Sequence, residues 1–511
     1  MAQTGQVLFG SRNATLPRDR YIASLYRKVA RTMATSDFRL INRSYSPTLV
    51  RFGAHYVPRD TLVLAVSEAL LIAISLLLAT TLRFWNRATV YDYLAHQWFR
   101  FAVVGIASQL AFYYNNMYDR RTVAKRSLLF TRTLRAIGVA FLALSVLYYV
   151  FPPLRLERGI VILAAAIVPC FTIAWRLALC NRKSFSRSVE RVLFLGTEAH
   201  GIGVTQEIMR APELQYKIVG FLEEKAERVG QPLVSPGIIG GIAQLEEIVE
   251  TEQIDRLVIS LGERRGVMPI HQLAALKFQG LPIEDAHSMY ERITGRIMLQ
   301  QLQPSWLVLC DGFHKSNLLI ALKRVIDIAV SAVLILLTLP VVLLTAIAIR
   351  MESRGPVLFK QERIGLGGRP FQILKFRSMR QGSGNGPPSW TSDRDPRITR
   401  VGNFIRKFRI DELPQLLNIL CGKMSLVGPR PEVPYFCELL EREIPYFNQR
   451  HSVRPGLTGW AQVKYQYGAS LEEAKIKFEF DLFYIKHLSL LLDLSIIFET
   501  AKVVLLGRGA K

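Results

Sequence analysis

The stretch KRVIDIAVSAVLILLTLPVVLLTAIAIRMESRG, residues 323–355, decides how this chain meets a membrane. Its apolar part runs from Val325 to Ile349, which is long enough to cross a bilayer as a helix. Pro340 lies in the middle, where it removes a backbone hydrogen bond and clashes with the preceding turn. Basic residues flank both ends, and a spanning helix would violate the positive-inside rule at one of them. We therefore predict a re-entrant helix over about 322–350 that enters the membrane, bends at the proline and returns.

Four further apolar runs lie upstream, each long enough, at roughly 20 residues, to cross a bilayer as a helix. They cover about residues 61–82, 99–118, 134–154 and 159–179. The loop between the second and third runs is densely basic, as are the segment after the fourth run and the N-terminal segment. The positive-inside rule places these basic segments in the cytoplasm. Glu68 lies inside the first run, where an acid is either a functional group or a helix-packing residue.

The composition of the chain restricts its partners. Of the 511 residues 50% are hydrophobic, the formal net charge is +24, and the mean hydropathy is +0.20. This mixture predicts membrane helices joined to water-soluble domains that bind anionic partners or an anionic membrane face. No nucleic acid partner is expected, because base-stacking and groove-reading signatures are missing. The five cysteines lack any C-x-x-C spacing, which argues against a zinc cluster or a disulfide framework.

Residues 190–305 show the strand–helix alternation of a parallel α/β domain. RVLFLG, residues 191–196, is a buried-strand pattern, and a glycine-containing turn and a helical stretch follow it. The turn places Gly196, Gly201 and Gly203 outside the G-x-G-x-x-G spacing, so it makes only a weak case for a dinucleotide site. Ligand binding, regulation, and a structural, docking or assembly role are all open for this Rossmann-like domain.

The stretch RKFRIDELPQ, residues 406–415, places two carboxylates side by side at Asp411 and Glu412. Pro414 favours the first turn of a helix, so both acids should lie at or just before a helix N-terminus. The helix dipole and the nearby basic residues should keep both acids ionised. An ionised aspartate can attack phosphorus while its neighbour binds a metal ion, although acids at this position are also ordinary helix caps.

Cations concentrate in short clusters on both sides of this acid pair. Lys375 and Arg377 lie in LKFRSM, Arg406 lies just before the acids, Arg430 lies in GPRP, and Arg454 lies in RPGLTGW. Arginine is suited to bidentate phosphate contacts, and several converging arginines can hold a diphosphate. Taken singly, each of these cations is equally typical of a solvated surface.

The order of these motifs over residues 321–511 resembles the bacterial sugar transferases, which are monotopic polyprenyl-phosphate sugar-1-phosphate transferases. The resemblance rests on the apolar stretch quoted above and on GPVLFKQERIGLGGRPFQILKFRSM, DPRITRVGNFIRKFRIDELPQLLNIL, GKMSLVGPRPE and RPGLTGWAQV. The upstream region resembles that of the large members, which initiate exopolysaccharide or O-antigen synthesis. This chain departs from the family at the bend, where Leu339 replaces the usual Ser or Thr and Thr338 lies one residue earlier.

The resemblance implies a two-step reaction on a UDP-sugar. Asp411 attacks the β-phosphorus, releases UMP and carries the sugar phosphate, which undecaprenyl phosphate then accepts. Glu412 takes part in binding Mg²⁺. The other residues implied are Lys375, Arg406 and Arg430 as phosphate contacts, and Arg454 and Gln462 in a motif linked to nucleotide-sugar binding.

We therefore expect a multi-pass membrane protein with its active site on the cytoplasmic face of the bacterial inner membrane. Its parts are a basic segment over 1–60, four transmembrane helices over 61–180, the α/β domain over 190–305 and a mainly α catalytic domain over 319–511. A homodimer and contacts with other polysaccharide-assembly proteins are open. One alternative is a membrane-bound nucleotide-sugar dehydratase or epimerase, which the lack of any Tyr-x-x-x-Lys disfavours. The other is a non-enzymatic scaffold or transporter subunit, which the sparse polar residues in the spans disfavour.

Overall fold

The computed structural model describes residues 49–52, 55–115, 117–118, 126–181, 189–214, 216–224, 236–261, 268–299, 310–380, 397–465 and 470–505. These residues form two compact units. The first unit holds residues 190–205 and 216–286, and the second holds the described parts of 49–189, 206–214 and 287–505. The predicted basic N-terminal segment lies outside the described residues up to residue 48, and so does the basic loop over 119–125.

A short hairpin and four long helices form the first part of the second unit. They are β1 Leu49–Phe52, β2 His55–Pro58, α1 Arg59–Phe84, α2 Arg87–Tyr114, α3 Arg126–Val150 and α4 Arg158–Asn181. By length and composition, α1, α3 and α4 can each cross a membrane. The predicted span over 99–118 is different, because α2 is interrupted at Gln97 and its C-terminal part contains Arg100 and Gln109. Among the described helices, α2 is therefore less apolar than these three, although it packs against α1 and α3.

A buried ion pair joins α1 to α4 inside this apolar bundle. Glu68 Oε1 accepts a hydrogen bond from Arg176 Nε at 2.5 Å, and both side chains are 0% exposed. Arg176 also donates to the Met117 carbonyl at 2.6 Å. Loss of either partner would leave an uncompensated charge in an apolar surrounding, which is strongly destabilising. Glu68 therefore has the contacts of a helix-packing residue.

The first unit is a parallel sheet with helices. Its elements, with the shared helix α5, are β3 Glu190–Leu195, α5 Ala199–Arg210, β4 Tyr216–Glu223, β5 Ile238–Gly241, α6 Leu245–Thr251, β6 Arg256–Ile259, α7 Ile270–Phe278 and β7 Ile283–Asp285. The strands pair in parallel in the order β5-β4-β3-β6-β7. Strand order reverses between β3 and β6, as in doubly wound sheets. The predicted α/β fold is confirmed.

The chain after this sheet packs on later parts of the second unit. Helix α8, Ala286–Thr294, carries Glu291, whose carboxylate accepts from Lys486 Nζ at 2.6 Å and 2.9 Å. The Gly295 carbonyl accepts from Trp460 Nε1 at 2.7 Å. The strand–helix pattern predicts that this segment belongs to the α/β domain over 190–305. In the structure, residues 287–299 instead belong to the second unit, where these polar contacts hold them.

Residues 310–505, called the C-terminal module below, contain mostly helices. The elements are α9 Asn317–Glu352, β8 Leu358–Ile364, β9 Pro370–Phe376, α10 Arg400–Lys407, α11 Gln415–Leu420, β10 Ser425–Val427, α12 Pro434–Glu443, β11 Gly456–Thr458, α13 Trp460–Lys464, α14 Leu471–His487 and α15 Leu490–Leu505. β8 and β9 form an antiparallel hairpin, and β10 pairs with β11 in parallel. The core packs around Leu416, Met424, Phe478 and Leu492, each at most 1% exposed.

Helix α9 stays helical across Pro340 over 36 residues. Its first part packs on the rest of the C-terminal module, where Lys323 Nζ donates to the Val427 carbonyl at 3.0 Å and to Asp493 Oδ2 at 2.6 Å. Near the proline, Thr338 Oγ1 donates to the carbonyl one turn back at 2.6 Å. The Thr338 hydroxyl, two residues before the proline, thus bonds to the helix backbone.

The last turn of α9 packs on the same module. The Glu352 carboxylate accepts from the backbone N–H groups of Arg400 and Val401 at 2.7 Å and 3.0 Å, so it caps the N-terminus of α10. Between the two packed ends, the apolar side chains of α9 lie outside, and Leu336 and Leu344 are 73% and 68% exposed. Exposed apolar surface of this extent requires a partner other than water. The bend at Pro340 stays a prediction.

Candidate active site

Asp411 and Glu412 lie in a 3-10 turn, Ile410–Glu412, between α10 and α11. Arg409, just before the turn, has a φ of +57°, in the left-handed region that costs free energy for residues other than glycine. This conformation ends α10, and α11 begins directly after Pro414. The acids therefore lie just before a helix start, as the sequence predicted.

Three cations converge on one oxygen of Glu412. Arg430 Nη2 lies 2.8 Å from Glu412 Oε1, and Lys375 Nζ and Arg409 Nη1 each lie 3.7 Å from the same atom. Burial alone would raise the pKa of Glu412, but Arg430, Lys375 and Arg409 outweigh it and lower the pKa to about 2. Glu412 is therefore ionised throughout the physiological pH range.

The pKa of Asp411 shifts in the opposite direction. Its Oδ1 atom is inaccessible to solvent and has no hydrogen-bond partner among the described residues. Burial, followed by the charge of Glu412, raises the pKa of Asp411 to about 6 against the opposing effect of Lys375, Arg409 and Arg430. The expected effect of the surrounding cations is thus dominant at Glu412, whereas at Asp411 desolvation outweighs it. With a pKa of about 6, Asp411 is still mostly ionised at pH 7.

Lys375 reaches the acids from the β8–β9 hairpin. The preceding Leu374 N–H donates to Asn418 Oδ1 at 3.0 Å, and Asn418 Nδ2 donates to the Gln372 carbonyl at 2.8 Å. These two bonds fix β9 to α11, the helix that follows the acid turn. Burial lowers the pKa of Lys375 to about 8, although Glu412 acts against this shift. The ammonium therefore loses its charge only above neutral pH.

The turn Gly428–Pro431, called the GPRP turn below, directs Arg430 at the acids. The Gly428 N–H donates to the Thr458 carbonyl at 2.9 Å, and the Gly456 N–H donates to the Pro429 carbonyl at 2.9 Å. A Cβ atom at Gly456 would lie 2.1 Å from the Gly428 nitrogen. Glycine is therefore required here by the close approach of two backbones, which explains why RPGLTGW accompanies GPRP.

Sequence reasoning missed two residues behind this turn. Arg450, which is 6% exposed, donates through Nη2 to the Arg430 carbonyl at 2.9 Å and to Asp481 Oδ2 at 2.9 Å. In the stretch NQRHSVRPG, residues 448–456, Arg450 is typical of a surface charge. The available signal was Asp481 in FEFDLF, since an acid inside an apolar run needs a buried partner.

Arg377 is placed differently from the predicted phosphate contact. Its Nη2 donates to the Ser353 carbonyl at 2.8 Å, and its Nη1 donates to the Arg354 carbonyl at 3.1 Å. Arg377 thus satisfies backbone oxygens just after the end of α9. Lys375 and Arg377 would lie on the same face of a continued strand, because side chains alternate with a period of two. Strand β9 ends at Phe376 between them, and the two side chains contact different groups.

The remaining predicted residues are not among the ion pairs around Glu412. Arg454 Nε donates to the Gly422 carbonyl at 3.1 Å. Gln462 Oε1 is buried without a hydrogen-bond partner among the described residues. Arg406 lies in the last turn of α10, partly exposed. Contacts of these three residues with substrate stay predictions.

Asp411 and Glu412 fit the needs of Mg²⁺ only as part of a shared site. The described residues contain no group of three or more His, Cys, Asp or Glu that could hold a metal ion. Mg²⁺ commonly uses one or two carboxylates and completes its shell with water and substrate phosphates. Asp411 Oδ1 is buried and unbonded, whereas Glu412 Oε1 is bonded to Arg430. The two acids could therefore hold the ion together with a diphosphate, with the free oxygen on Asp411.

Gly456→Ala should destabilise the C-terminal module by about 1–3 kcal/mol, because the added methyl overlaps the backbone of the GPRP turn. Thermal unfolding of the purified protein measures this loss. The matched control is Gly138→Ala, whose Cβ meets no atom within 4 Å. Equal melting temperatures for the two variants would contradict the close packing described here.

Comparison with protein families places this site in a known group. A family described as bacterial sugar transferase matches residues 318–507, and one described as CoA-binding domain matches residues 114–272. The first match covers the C-terminal module almost completely. The second covers helices α3 and α4 of the bundle and strands β3 to β6 of the parallel sheet.

Three relatives illustrate the similarity. A UDP-N-acetylgalactosamine-undecaprenyl-phosphate N-acetylgalactosaminephosphotransferase of Aeromonas hydrophila is 44% identical over 47% of this chain and 56% of its own length. A UDP-glucose:undecaprenyl-phosphate glucose-1-phosphate transferase of Escherichia coli is 33% identical over 60% of this chain and 66% of its own. A protein of the same name from Caulobacter vibrioides is 46% identical over 36% of this chain and 69% of its own.

The first two of these matches span less than two thirds of the relatives' own length. The names of these relatives nevertheless agree with the description of the family that matches residues 318–507. That range contains both acids and all three cations of the cluster. The chain belongs to the bacterial sugar transferase family.

Proposed function

We propose that this chain transfers a sugar 1-phosphate from a UDP-sugar to undecaprenyl phosphate, giving undecaprenyl-diphospho-sugar and UMP. The observation that carries the proposal is the pair of adjacent acids in one turn. Glu412 is shared by three cations, and Asp411 Oδ1 is buried without a hydrogen-bond partner among the residues that the structure describes. The names of the relatives support undecaprenyl phosphate as acceptor and a UDP-sugar as donor. They favour this reaction over a dehydratase, an epimerase or a scaffold.

In the first step, a carboxylate oxygen of Asp411 attacks the β-phosphorus of the donor. The bond from that phosphorus to the bridging oxygen breaks, and UMP leaves with the electron pair. In the second step, a phosphate oxygen of the lipid acceptor attacks the same phosphorus. The bond to Asp411 breaks, the carboxylate is restored, and a new diphosphate links lipid and sugar. Splitting one difficult transfer into two displacements is the advantage of a covalent intermediate.

The cations give this site its affinity for phosphate. Lys375, Arg409 and Arg430 together carry three positive charges around the single negative charge of Glu412, and Asp411 adds one more negative charge when ionised. Charge-assisted hydrogen bonds from such groups to phosphate oxygens are short and strong. Fixed positive charge also stabilises the negative charge that develops on the departing UMP. Mg²⁺ bound by Asp411 and Glu412 would add positive charge against the donor diphosphate.

The placement of α9 supports the re-entrant hypothesis. Lys323, near its start, and Glu352, at its end, both bond to the C-terminal module, while the apolar middle is exposed. A helix that enters and leaves the bilayer on one side satisfies both packed ends without moving the module across the membrane. The active site would then lie on the cytoplasmic face of the bacterial inner membrane, where a soluble donor meets a lipid acceptor.

The re-entrant hypothesis predicts that both ends of α9 are cytoplasmic. Single-cysteine variants Asn317→Cys and Met351→Cys should react with a membrane-impermeant maleimide only after the inner membrane is opened. Pro153→Cys, in the loop between α3 and α4, is the control for a periplasmic site and should react in cells with an intact inner membrane. Labelling of one α9 end in those cells would show that the helix spans the bilayer.

Asp411→Asn should reduce UMP release from UDP-sugars by roughly 10³-fold or more, because the amide is not a nucleophile towards phosphorus. The assay uses membranes containing the protein, polyprenyl phosphate, Mg²⁺ and a panel of UDP-sugars, which also identifies the sugar. Asp311→Asn, at an exposed aspartate, should keep wild-type turnover. Retained turnover in Asp411→Asn would exclude Asp411 as the nucleophile.

The pH dependence of kcat/KM should be bell-shaped, with limbs near 6 and 8. Below pH 6, the raised pKa of Asp411 means that the fraction of ionised nucleophile falls, to about a tenth at pH 5. Above pH 8, Lys375 loses the charge that faces the donor phosphates. Steady-state kinetics from pH 4.5 to 9.5 measure both limbs. A profile that stays flat between pH 5 and 7 would contradict the raised pKa of Asp411.

A further inference from the structure

The carbonyl groups of the GPRP turn accept hydrogen bonds from donors in other parts of the module. Two of its four residues are prolines, which have no N–H to donate. The Pro429 carbonyl accepts from the Gly456 N–H at 2.9 Å, the Arg430 carbonyl accepts from Arg450 Nη2 at 2.9 Å, and the Pro431 carbonyl accepts from Arg363 Nη1 at 3.0 Å. Three consecutive carbonyls are thus held from three directions. Only the middle one belongs to the residue whose side chain contacts Glu412.

We propose that Arg450, neutralised by Asp481, is a positioning residue that fixes the backbone of Arg430 and thereby holds its guanidinium on the active-site acids. The proposal rests on the function proposed above and assigns two further residues to it. Neither residue contacts Asp411 or Glu412 directly in the described contacts. Their effect on the reaction passes through the GPRP turn.

The geometry of Arg450 suits this role. A terminal guanidinium nitrogen carries two N–H groups, and Nη2 uses them on the Arg430 carbonyl and on Asp481 Oδ2, both at 2.9 Å. The guanidinium also lies 4.8 Å from the centroid of the Phe447 ring, which restricts its plane. Asp481 is 3% exposed and lies within α14, between Phe480 and Leu482 of the hydrophobic core. The acceptor side of the contact is therefore attached to a rigid helix.

Stability alone does not account for this buried pair. Burying an arginine and an aspartate costs desolvation free energy, and replacing such a pair with apolar residues is often neutral or stabilising. What apolar residues cannot supply is a donor for the Arg430 carbonyl. The pair therefore has a positioning role, which a hydrophobic replacement would lose.

The contacts of the site give this role a measurable signature. Arg430 is one of the three cations, with Lys375 and Arg409, that lie around Glu412 and are proposed to face the donor phosphates. If the GPRP turn loosens, the Arg430 guanidinium moves away from the donor phosphates and the KM for the UDP-sugar rises. A variant that is merely less stable would lose active enzyme, and therefore kcat, without a change in KM.

The test compares four full-length proteins in the same UMP-release assay. Arg450→Met/Asp481→Leu removes both buried charges together, so that neither charge is left uncompensated. Arg450→Lys keeps the positive charge but shortens the reach to two acceptors. Arg296→Met is the matched control, because Arg296 is a partly buried arginine that bonds Glu207, with its guanidinium 5.3 Å from the Tyr290 ring centroid.

The double variant should fold, with a melting temperature close to the wild-type value. Its KM for the UDP-sugar should rise about tenfold, as expected for the loss of one hydrogen bond to a charged donor. Its kcat should change less than its KM, and Arg450→Lys should show a smaller rise in KM. The control Arg296→Met should keep the wild-type KM.

A folded double variant with a wild-type KM would overturn the role of Arg450. The same rise in KM in Arg296→Met would also overturn it, because the effect would then be general. Should the double variant fail to fold, a wild-type KM in Arg450→Lys would count against the proposal. Wild-type protein that releases no UMP from any UDP-sugar overturns the proposed reaction itself, and the role of Arg450 falls with it.

Discussion

The charge of one buried carboxylate, that of Glu412, is the constraint on which the active site depends. A buried anion is tolerated only when cations neutralise it, and here these come from the β8–β9 hairpin, from the residue before the acid turn and from the GPRP turn. Each of these segments must be placed correctly for the charge to be buried at all. The cluster around Glu412 is therefore complete only when all three segments have packed.

The two neighbouring acids lie in different environments. Glu412 is surrounded by cations and stays charged, so it anchors the cluster at every relevant pH. Asp411 Oδ1 has no hydrogen-bond partner in the part of the chain that the structure describes, and the pKa of Asp411 is near 6, so its charge is held less firmly. Titratable neighbours whose pKa values are pushed apart commonly serve different catalytic roles. The proposed roles, nucleophile for Asp411 and anchor of the cations for Glu412, follow this pattern.

Much of this arrangement could be predicted from sequence, because local motifs encode local structure. GPRP and RPGLTGW predict turns, RIDELPQ predicts acids before a helix, and the buried-strand patterns predict the parallel sheet. Properties that depend on distant residues could not be predicted. Arg450 meets Asp481 only when α14 packs, 31 residues further along the chain. The pKa of Asp411 depends on how deeply the turn is buried, and the break at Gln97 depends on how α2 packs.

The cap that Glu352 places on α10 has a consequence for the position of the two acids. Helix α10 has eight residues and is therefore about 12 Å long. One end is bonded to the last turn of α9, and the other leads within a few residues to Asp411. A helix, rather than a loop, thus separates the apolar segment from Asp411. One residue added to this helix would rotate the acids by about 100° about the helix axis, so the length of α10 fixes the orientation of the acids relative to the last turn of α9.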